Sequence, residues 1–412
     1  MSGTALRLGR FEGSGREYLF DGNESLITLA RPGRGKSQAH VIRNLLYLQG
    51  PAFVLDVKPE IHAATAAWRA ANVGPVVRFA PGDHRTSAGF NPLDFVPADP
   101  IDAYKAIQRL VPLLMVPPAR GDAGNFWESR AAQFLTAALY DIAQHNPTGR
   151  RDMTAVVDWF SPSDDELGDC IARLQASELR ALARFGKQLE ALSAVDKPFQ
   201  SVMETARRSI EVWGAPELDR VVRRTTIDLP ALRRQNGTLY LCITPEELVS
   251  YASVIRTLFG LTLFTIRDDQ AAWNRPPVTF FMDEFPQLGY MREVEQMLAL
   301  GRQSGLRLWL FAQTKGQIRD AYRDADRLLD MMAVRCFMEP TATLAQELSR
   351  ELGSYRDIWQ GRERPLATPQ ELAGPEYASK VIVLEGGRQP AKLERVMAFE
   401  DPQLRGRLTA GR

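Results

Sequence analysis

Cysteine and histidine are scarce in this 412-residue chain. Three cysteines (Cys170, Cys242 and Cys336) stand far apart, no Cys-x-x-Cys pair occurs, and the four histidines are scattered. Metal-ligand spacing and a disulfide framework are therefore both missing. That excludes a zinc module and a disulfide-stapled secreted scaffold, and fits a reducing cytosol. Net charge is nearly absent as well: 51 Lys and Arg stand against 50 Asp and Glu, a formal +1. No global attraction to a polyanion follows, so any contact with nucleic acid has to be local, in a groove or pore. The opening stretch, MSGTALRLGRFEGSG, lacks the apolar core of a signal peptide. No run of about 18 apolar residues occurs, so no transmembrane helix is expected. Internal repeats and low-complexity tails are missing too.

What is present is core-forming material and punctuation. Hydrophobic residues make up 45% of the chain, ample for a packed core. The length suits one large domain with an insertion, or two domains. The most informative stretch is 26–37, Leu-Ile-Thr-Leu-Ala-Arg-Pro-Gly-Arg-Gly-Lys-Ser. A short apolar run ends in a glycine loop closed by Gly35-Lys36-Ser37, and a helical pattern (Ala39, Val41, Ile42, Leu45, Leu46, Leu48) follows. Strand, glycine loop, Lys-Ser and helix is the phosphate-cradling P-loop. Backbone N–H groups over Arg31, Pro32, Gly33, Arg34, Gly35, Lys36, Ser37 and Gln38, those of proline excepted, and the helix N-terminus point at the phosphates. Lys36 brings a mobile positive charge, and the Ser37 hydroxyl is a ligand for Mg²⁺. Ala30 stands where the usual pattern has its first glycine, which points to a slightly different loop entry.

Apolar runs at 26–30, 51–57 and 76–79 alternate with helical patterns, the sign of a parallel α/β sheet. From 101 to 235 the character changes. Phe126-Trp127, Ala131, Phe134-Leu135 and Ala138-Leu139 form one amphipathic stripe. Segments 155–160, 164–174, 178–193 and 197–213 also read as helical, so 101–235 is expected to be an all-helical insertion. After 236 the α/β pattern returns. Strands are expected at 238–243, 277–282, 306–312, 333–338 and 380–384, with helices at 251–272 and 292–300. The nucleotide domain is thus discontinuous, 1–100 with 236–412.

Strand 277–282 ends in Asp283-Glu284. After a P-loop this is a Walker B arrangement, with Asp283 on Mg²⁺ and Glu284 orienting and deprotonating the attacking water. Strand ends flank the ligand crevice in open α/β sheets. Gln313, at the end of strand 306–312, reads either as a sensor of the γ-phosphate or, more usually for a glutamine there, as a turn residue. Arg302, in Gly301-Arg302-Gln303-Ser304-Gly305, reads either as an arginine finger or as a solvated surface arginine.

These pieces, in this order, resemble the coupling proteins of type IV secretion and conjugation (TraG/TraD-like), hexameric RecA-like ATPases of the HerA/FtsK superfamily. The resemblance rests on Ala30–Ser37, on Asp56-Val57-Lys58-Pro59-Glu60, and on Gly89-Phe90-Asn91-Pro92-Leu93. It continues with Phe126-Trp127, with Asp283-Glu284-Phe285-Pro286-Gln287-Leu288-Gly289, with Gly301-Arg302 and Gln313, and with Val381–Leu384 and Gln389–Ala391. It runs from about 7 to 402. It implies a RecA-like α/β domain with an inserted all-α domain, ATP and Mg²⁺ as cofactors, and a homo-hexamer. In it Lys36, Ser37, Asp283, Glu284 and Gln313 act in cis and Arg302 acts as a finger in trans. The implied partners are DNA (single-stranded, without sequence specificity), a relaxase or accessory proteins, and components of the secretion channel. Asp56, Lys58 and Glu60 are candidates near the nucleotide edge.

Members of that family typically begin with a membrane segment, and many carry substrate-recruiting tails; this chain shows neither. The expectation is a cytoplasmic protein, either a soluble member or one held peripherally at the inner membrane by a partner. A soluble DNA translocase unrelated to secretion, and a nucleotide-gated adaptor with little turnover, stay open beside the coupling ATPase. Over 173–234, 12 Lys and Arg stand against 8 Asp and Glu. That suits either a phosphate-facing surface or ordinary solvated helices, the latter being the more usual.

Overall fold

Apolar runs without polar alternation build strands covered on both faces, and such runs form the centre of one sheet. The computed structural model describes residues 3–83, 85–116, 126–269, 274–300, 304–322, 324–357 and 362–408. Its strands are β1 (Leu6–Phe11), β2 (Glu17–Phe20), β3 (Leu26–Ala30), β4 (Ala52–Asp56), β5 (Val76–Phe79), β6 (Thr238–Cys242) and β7 (Val278–Met282). They continue with β8 (Leu306–Ala312), β9 (Val334–Met338), β10 (Ser354–Asp357), β11 (Arg362–Pro365), β12 (Lys380–Glu385) and β13 (Ala391–Glu394). Eleven of them form one sheet in the order β2-β1-β13-β12-β9-β3-β8-β7-β4-β6-β5, and β10 pairs with β11 as a separate antiparallel hairpin. From β9 to β6 the strands are parallel. β12, β13, β1 and β2 extend the sheet antiparallel. Every residue of β3, β4, β6, β7 and β8 is buried.

The parallel register sets Leu29 beside Ala312 and Phe337, and Leu55 beside Met282. The C-terminal tips of β9, β3, β8, β7 and β4 therefore lie along one edge, where open α/β sheets hold ligands.

Two compact units divide the chain. The first comprises Met1–Val77, Leu229–Thr244 and Thr265–Arg412; the second comprises Arg78–Asp228 and Pro245–Phe264. The helical stretch read over 101–235 compares with a second unit that starts earlier, ends at Asp228 and takes in 245–264. Hydrogen bonds within that unit account for the difference. Phe90 N donates to Val221 O (2.7 Å) and Asn91 N to Thr225 Oγ1 (2.9 Å), tying 89–91 to the end of the helical run. The buried Trp213 donates to Ser253 Oγ (3.0 Å), which donates to Leu114 O (2.9 Å), tying in helix Ala252–Asp268.

The helices of the second unit include Pro100–Leu114, Phe126–Gln144, Asp164–Gln175, Arg180–Ser193 and Asp196–Ile210. Ser163 and Glu166 form a capping box on one of them, satisfying end groups that would otherwise lack partners. The fully buried Asp141 carboxylate accepts from Arg173 Nη2 (2.8 Å) and Trp159 Nε1 (3.1 Å), pinning two further helices to its own. Helix 251–272 is observed as Ala252–Asp268, and the last residues of the expected span fall outside the described residues. Cys170, Cys242 and Cys336 are buried thiols that form no disulfide. No helix among the described residues is long and apolar enough to cross a membrane.

One ion cluster fixes the helix that follows the glycine loop. Arg43 and Asp401 are both fully buried, with Arg43 Nε and Nη2 at 3.0 and 2.9 Å from Asp401 Oδ2. Arg10 Nη2 and Tyr47 Oη donate to the same oxygen, each at 3.1 Å. Removing one member of a buried pair strands the other in low dielectric. Asp401→Ala is expected to lower unfolding stability by about 3–5 kcal/mol in urea titration. Arg208→Ala, at an exposed pair with Glu204, is expected to change it by less than ~1 kcal/mol.

Candidate nucleotide site

The loop after β3 takes its shape from two glycines. Gly33 and Gly35 have φ of +71° and +73°, a region that disfavours any side chain. Ala30 is the last residue of β3 and stays extended. The missing first glycine is thus absorbed by the strand, and the altered loop entry expected from Ala30 has no backbone strain behind it. Lys36 is buried, and the helix opens at Ser37. Its first residues, Ser37–Ile42, form a π-helical stretch before the α-helix Arg43–Tyr47. Such widened turns concentrate at functional sites. Inside it the fully buried His40 lies 2.9 Å from Thr28 Oγ1 through Nδ1 and 3.2 Å from Leu8 O through Nε2. Burial lowers its pKa to about 3.

The loop is also held from outside by a residue that sequence reading missed. Glu339 follows β9, beside the end of β3, in left-handed backbone with φ +45°. Its carboxylate takes Arg34 Nε at 3.0 Å and Arg395 Nη1 at 3.3 Å, with Arg31 Nη2 at 3.9 Å. Its carbonyl accepts from Arg31 Nε (3.2 Å), and Arg395 donates to the carbonyl of Arg34 (2.9 Å). An acid directly after an apolar strand, in Phe337-Met338-Glu339, was the available signal.

The acidic pair reaches the loop. Lys36 Nζ is ion-paired with Glu284 Oε1 and lies 3.7 Å from Asp283 Oδ1. Gln313 Nε2, from the tip of β8, donates to both carboxylate oxygens of Glu284 at 3.1 Å. Glu284 itself is left-handed, φ +50°, a conformation costing on the order of 1–3 kcal/mol that persists only where surroundings impose it. Here the next residues impose it. Phe285 and Leu288 are buried in a 3₁₀ turn, Phe285 stacks on Tyr322 with ring centroids 5.3 Å apart, and Tyr322 Oη accepts from Met291 N. Burial, with Glu284 beside it, raises the Asp283 pKa to about 6 against the opposing pull of Lys36.

Lys36, Asp283, Glu284 and Gln313 are therefore brought together, with Ser37 at the helix start next to Lys36. Pro32 and Arg34 are exposed, and Gln38 is half-buried with its Oε1 unpartnered. Arg302 lies outside the described residues. Asp56 closes β4 and is buried, whereas Lys58 and Glu60 are exposed.

A glycine loop on one parallel strand, facing a lysine-bound acidic pair two strands away in the sheet, defines the P-loop NTPase class of α/β fold. The chain belongs to the family described as type IV secretory system conjugative DNA transfer, whose model matches residues 8–410. It is 25% identical over 416 residues to Protein VirD4 of Agrobacterium fabrum, covering 94% of this chain and 61% of that protein. It is 22% identical to the conjugal transfer protein TraG of Escherichia coli, covering 94% of this chain and 69% of that protein. The chain spans about three fifths of the length of the VirD4 relatives. Among solved structures, the plasmid coupling protein TrwB with the ATP analogue ADPNP superposes with a TM-score of 0.72 at 17% identity, over 91% of this chain and 86% of that one. TrwB with ADP and Mg²⁺ gives 0.71 at 18%, over 94% and 89%.

The buried His40 sets a pH dependence. The unfolded chain takes up this proton near pH 6.5, at the ordinary histidine value, and the folded chain only near 3. Acidification through that window therefore favours unfolding. His40→Gln is expected to flatten the fall in melting temperature between pH 6.5 and 4.5, whatever it does to stability at pH 8.

Proposed function

We propose that this chain is a coupling ATPase: it binds ATP with Mg²⁺, hydrolyses it, and uses the cycle to bring DNA or a DNA–protein substrate to a type IV secretion channel. The observation that carries this reading is the joining of P-loop Lys36 to Glu284 and Asp283, with Gln313 on Glu284, inside a chain that the family model matches over 8–410. The relatives add support. VirD4 of Bartonella quintana is described as a coupling protein, and TrwB was solved with ADPNP and with ADP and Mg²⁺.

The donor set suits a hard cation. Asp283 Oδ1 is buried without a hydrogen-bond partner, the Ser37 hydroxyl starts the facing helix, and both are oxygen donors. Bound there, Mg²⁺ would neutralise charge on the phosphates. The backbone N–H groups from Arg31 to Gln38, Pro32 excepted, would hold the phosphate oxygens. Lys36 would leave Glu284 for those oxygens. Freed, and still held by Gln313, Glu284 would accept the proton of the attacking water. Arg302 from a neighbouring protomer would complete the charge stabilisation, and the homo-hexamer implied by the resemblance to coupling ATPases would supply that neighbour. The helical second unit is the candidate surface for relaxase, accessory proteins or DNA, with backbone contacts that read no sequence. In this reading the protein works on the cytoplasmic side of the inner membrane, docked through channel components.

Purified protein is expected to hydrolyse ATP faster with single-stranded DNA than without it. Glu284→Gln is expected to lower turnover about 10²–10⁴-fold while binding ATP more tightly, because Lys36 loses a competing anion. Steady-state turnover and nucleotide titration check both. Tight binding without turnover, DNA present or not, would sink the motor reading and favour a nucleotide-gated adaptor.

A further inference from the structure

One group that the proposed cycle does not use sits one strand from Asp283. In the pairing of β4 with β7, Leu55 lies opposite Met282, so Asp56 and Asp283 close neighbouring parallel strands. Asp56 is fully buried. Its Oδ2 accepts the backbone N–H of His62 (2.7 Å), while its Oδ1 has no hydrogen-bond partner. Asp283 Oδ1 is in the same condition, with Lys36 Nζ the neighbouring cation at 3.7 Å.

Two unsatisfied carboxylate oxygens on adjacent buried strand tips are an expensive arrangement. Burial, with Asp283 and Glu60 nearby, raises the pKa of Asp56 to about 7 against the opposing pull of backbone N–H groups. The fold does not require an acid at this position. At the turn into helix Glu60–Asn72 the Asp56 carboxylate takes backbone N–H groups, His62 N among them, which an asparagine oxygen accepts as well. Lys36 Nζ stands 3.7 Å from Asp283 Oδ1, and no hydrogen bond reaches either Oδ1. Among the described residues no group of three or more His, Cys, Asp and Glu could hold a metal ion, so a cation needs ligands brought by something else.

We propose that Asp56 is a positioning residue for the hydrated divalent cation that accompanies the nucleotide, accepting hydrogen bonds from the cation's water shell on the β4 side while Asp283 serves the β7 side. This rests on the reading of the site as one for Mg²⁺ and ATP. It gives the acid of Asp56-Val57-Lys58-Pro59-Glu60 a task that neither exposed member of that stretch shares. Groups of this outer kind alter metal affinity more than nucleotide affinity.

The test is electron paramagnetic resonance of free Mn²⁺ titrated against protein saturated with ADP, for wild type and Asp56→Asn, alongside ADP binding in EDTA and melting of the metal-free protein. The expected result for Asp56→Asn is a higher metal-free melting temperature and unchanged ADP affinity in EDTA. Its Mn²⁺ half-saturation is expected about tenfold higher. If Asp56→Asn does not fold, Asp56→Ser is measured in its place. Unchanged Mn²⁺ affinity in a folded variant overturns the proposal. So does a joint loss of ADP and Mn²⁺ affinity, or failure of both variants to fold, because each would make Asp56 structural. Wild type that takes up no Mn²⁺ with ADP overturns the Mg²⁺–nucleotide reading itself, a result separable from the others.

Discussion

The contact on which the site depends is the ion pair between Lys36 and Glu284, with Asp283 at 3.7 Å. It joins the loop after β3 to the tip of β7, across the tip of β8, whose Gln313 holds the same carboxylate. A buried lysine without a counter-charge would be strongly disfavoured, and the two acids would repel each other without the lysine. While no phosphate is near, the lysine offsets one of the two negative charges. A polyphosphate would offer Lys36 a stronger anion and draw it off Glu284, which Gln313 still holds. Exchange of one anion for another is how such a site can report occupancy without a large backbone movement.

Strain is placed where that exchange happens. Glu284 and Glu339 both take left-handed backbone, and each is a carboxylate holding basic residues of the glycine loop. Glu284 is forced into this shape by Phe285 and Leu288, which must bury. Glu339 collects Arg31, Arg34 and Arg395 from two separate stretches of the first unit. The rest of that unit offsets the strain with a covered parallel sheet and with the cluster of Arg43, Asp401, Arg10 and Tyr47 behind the loop.

Parts of this were legible in the chain. Leu26–Ala30, Val278–Met282 and Leu306–Ala312 are apolar runs ended by polar residues, and apolar continuity is how doubly covered strands read. The glycine loop and Asp283-Glu284 depend on local order alone, so spacing was enough to find them. Other parts depend on distant partners. β1, β2 and the hairpin of β10 with β11 are short and carry charge, with Gly9 inside β1 and Pro365 ending β11, so their pairing comes from tertiary contact. The hold of Glu339 on Arg34 spans 305 positions and left only a strand-end acid as its trace. Asp56 reads in the sequence only as a candidate near the nucleotide edge, and its burial follows from where β4 falls between β7 and β6. The bounds of the second unit follow the hydrogen bonds of Phe90 and Ser253, which leave no periodicity in the sequence.

The most direct measurement is a structure of this protein with a non-hydrolysable ATP analogue and Mg²⁺. The account predicts that Lys36 Nζ leaves Glu284 for the phosphate oxygens while Gln313 keeps its hydrogen bond to Glu284. A bound analogue with the Lys36–Glu284 pair still intact would contradict it.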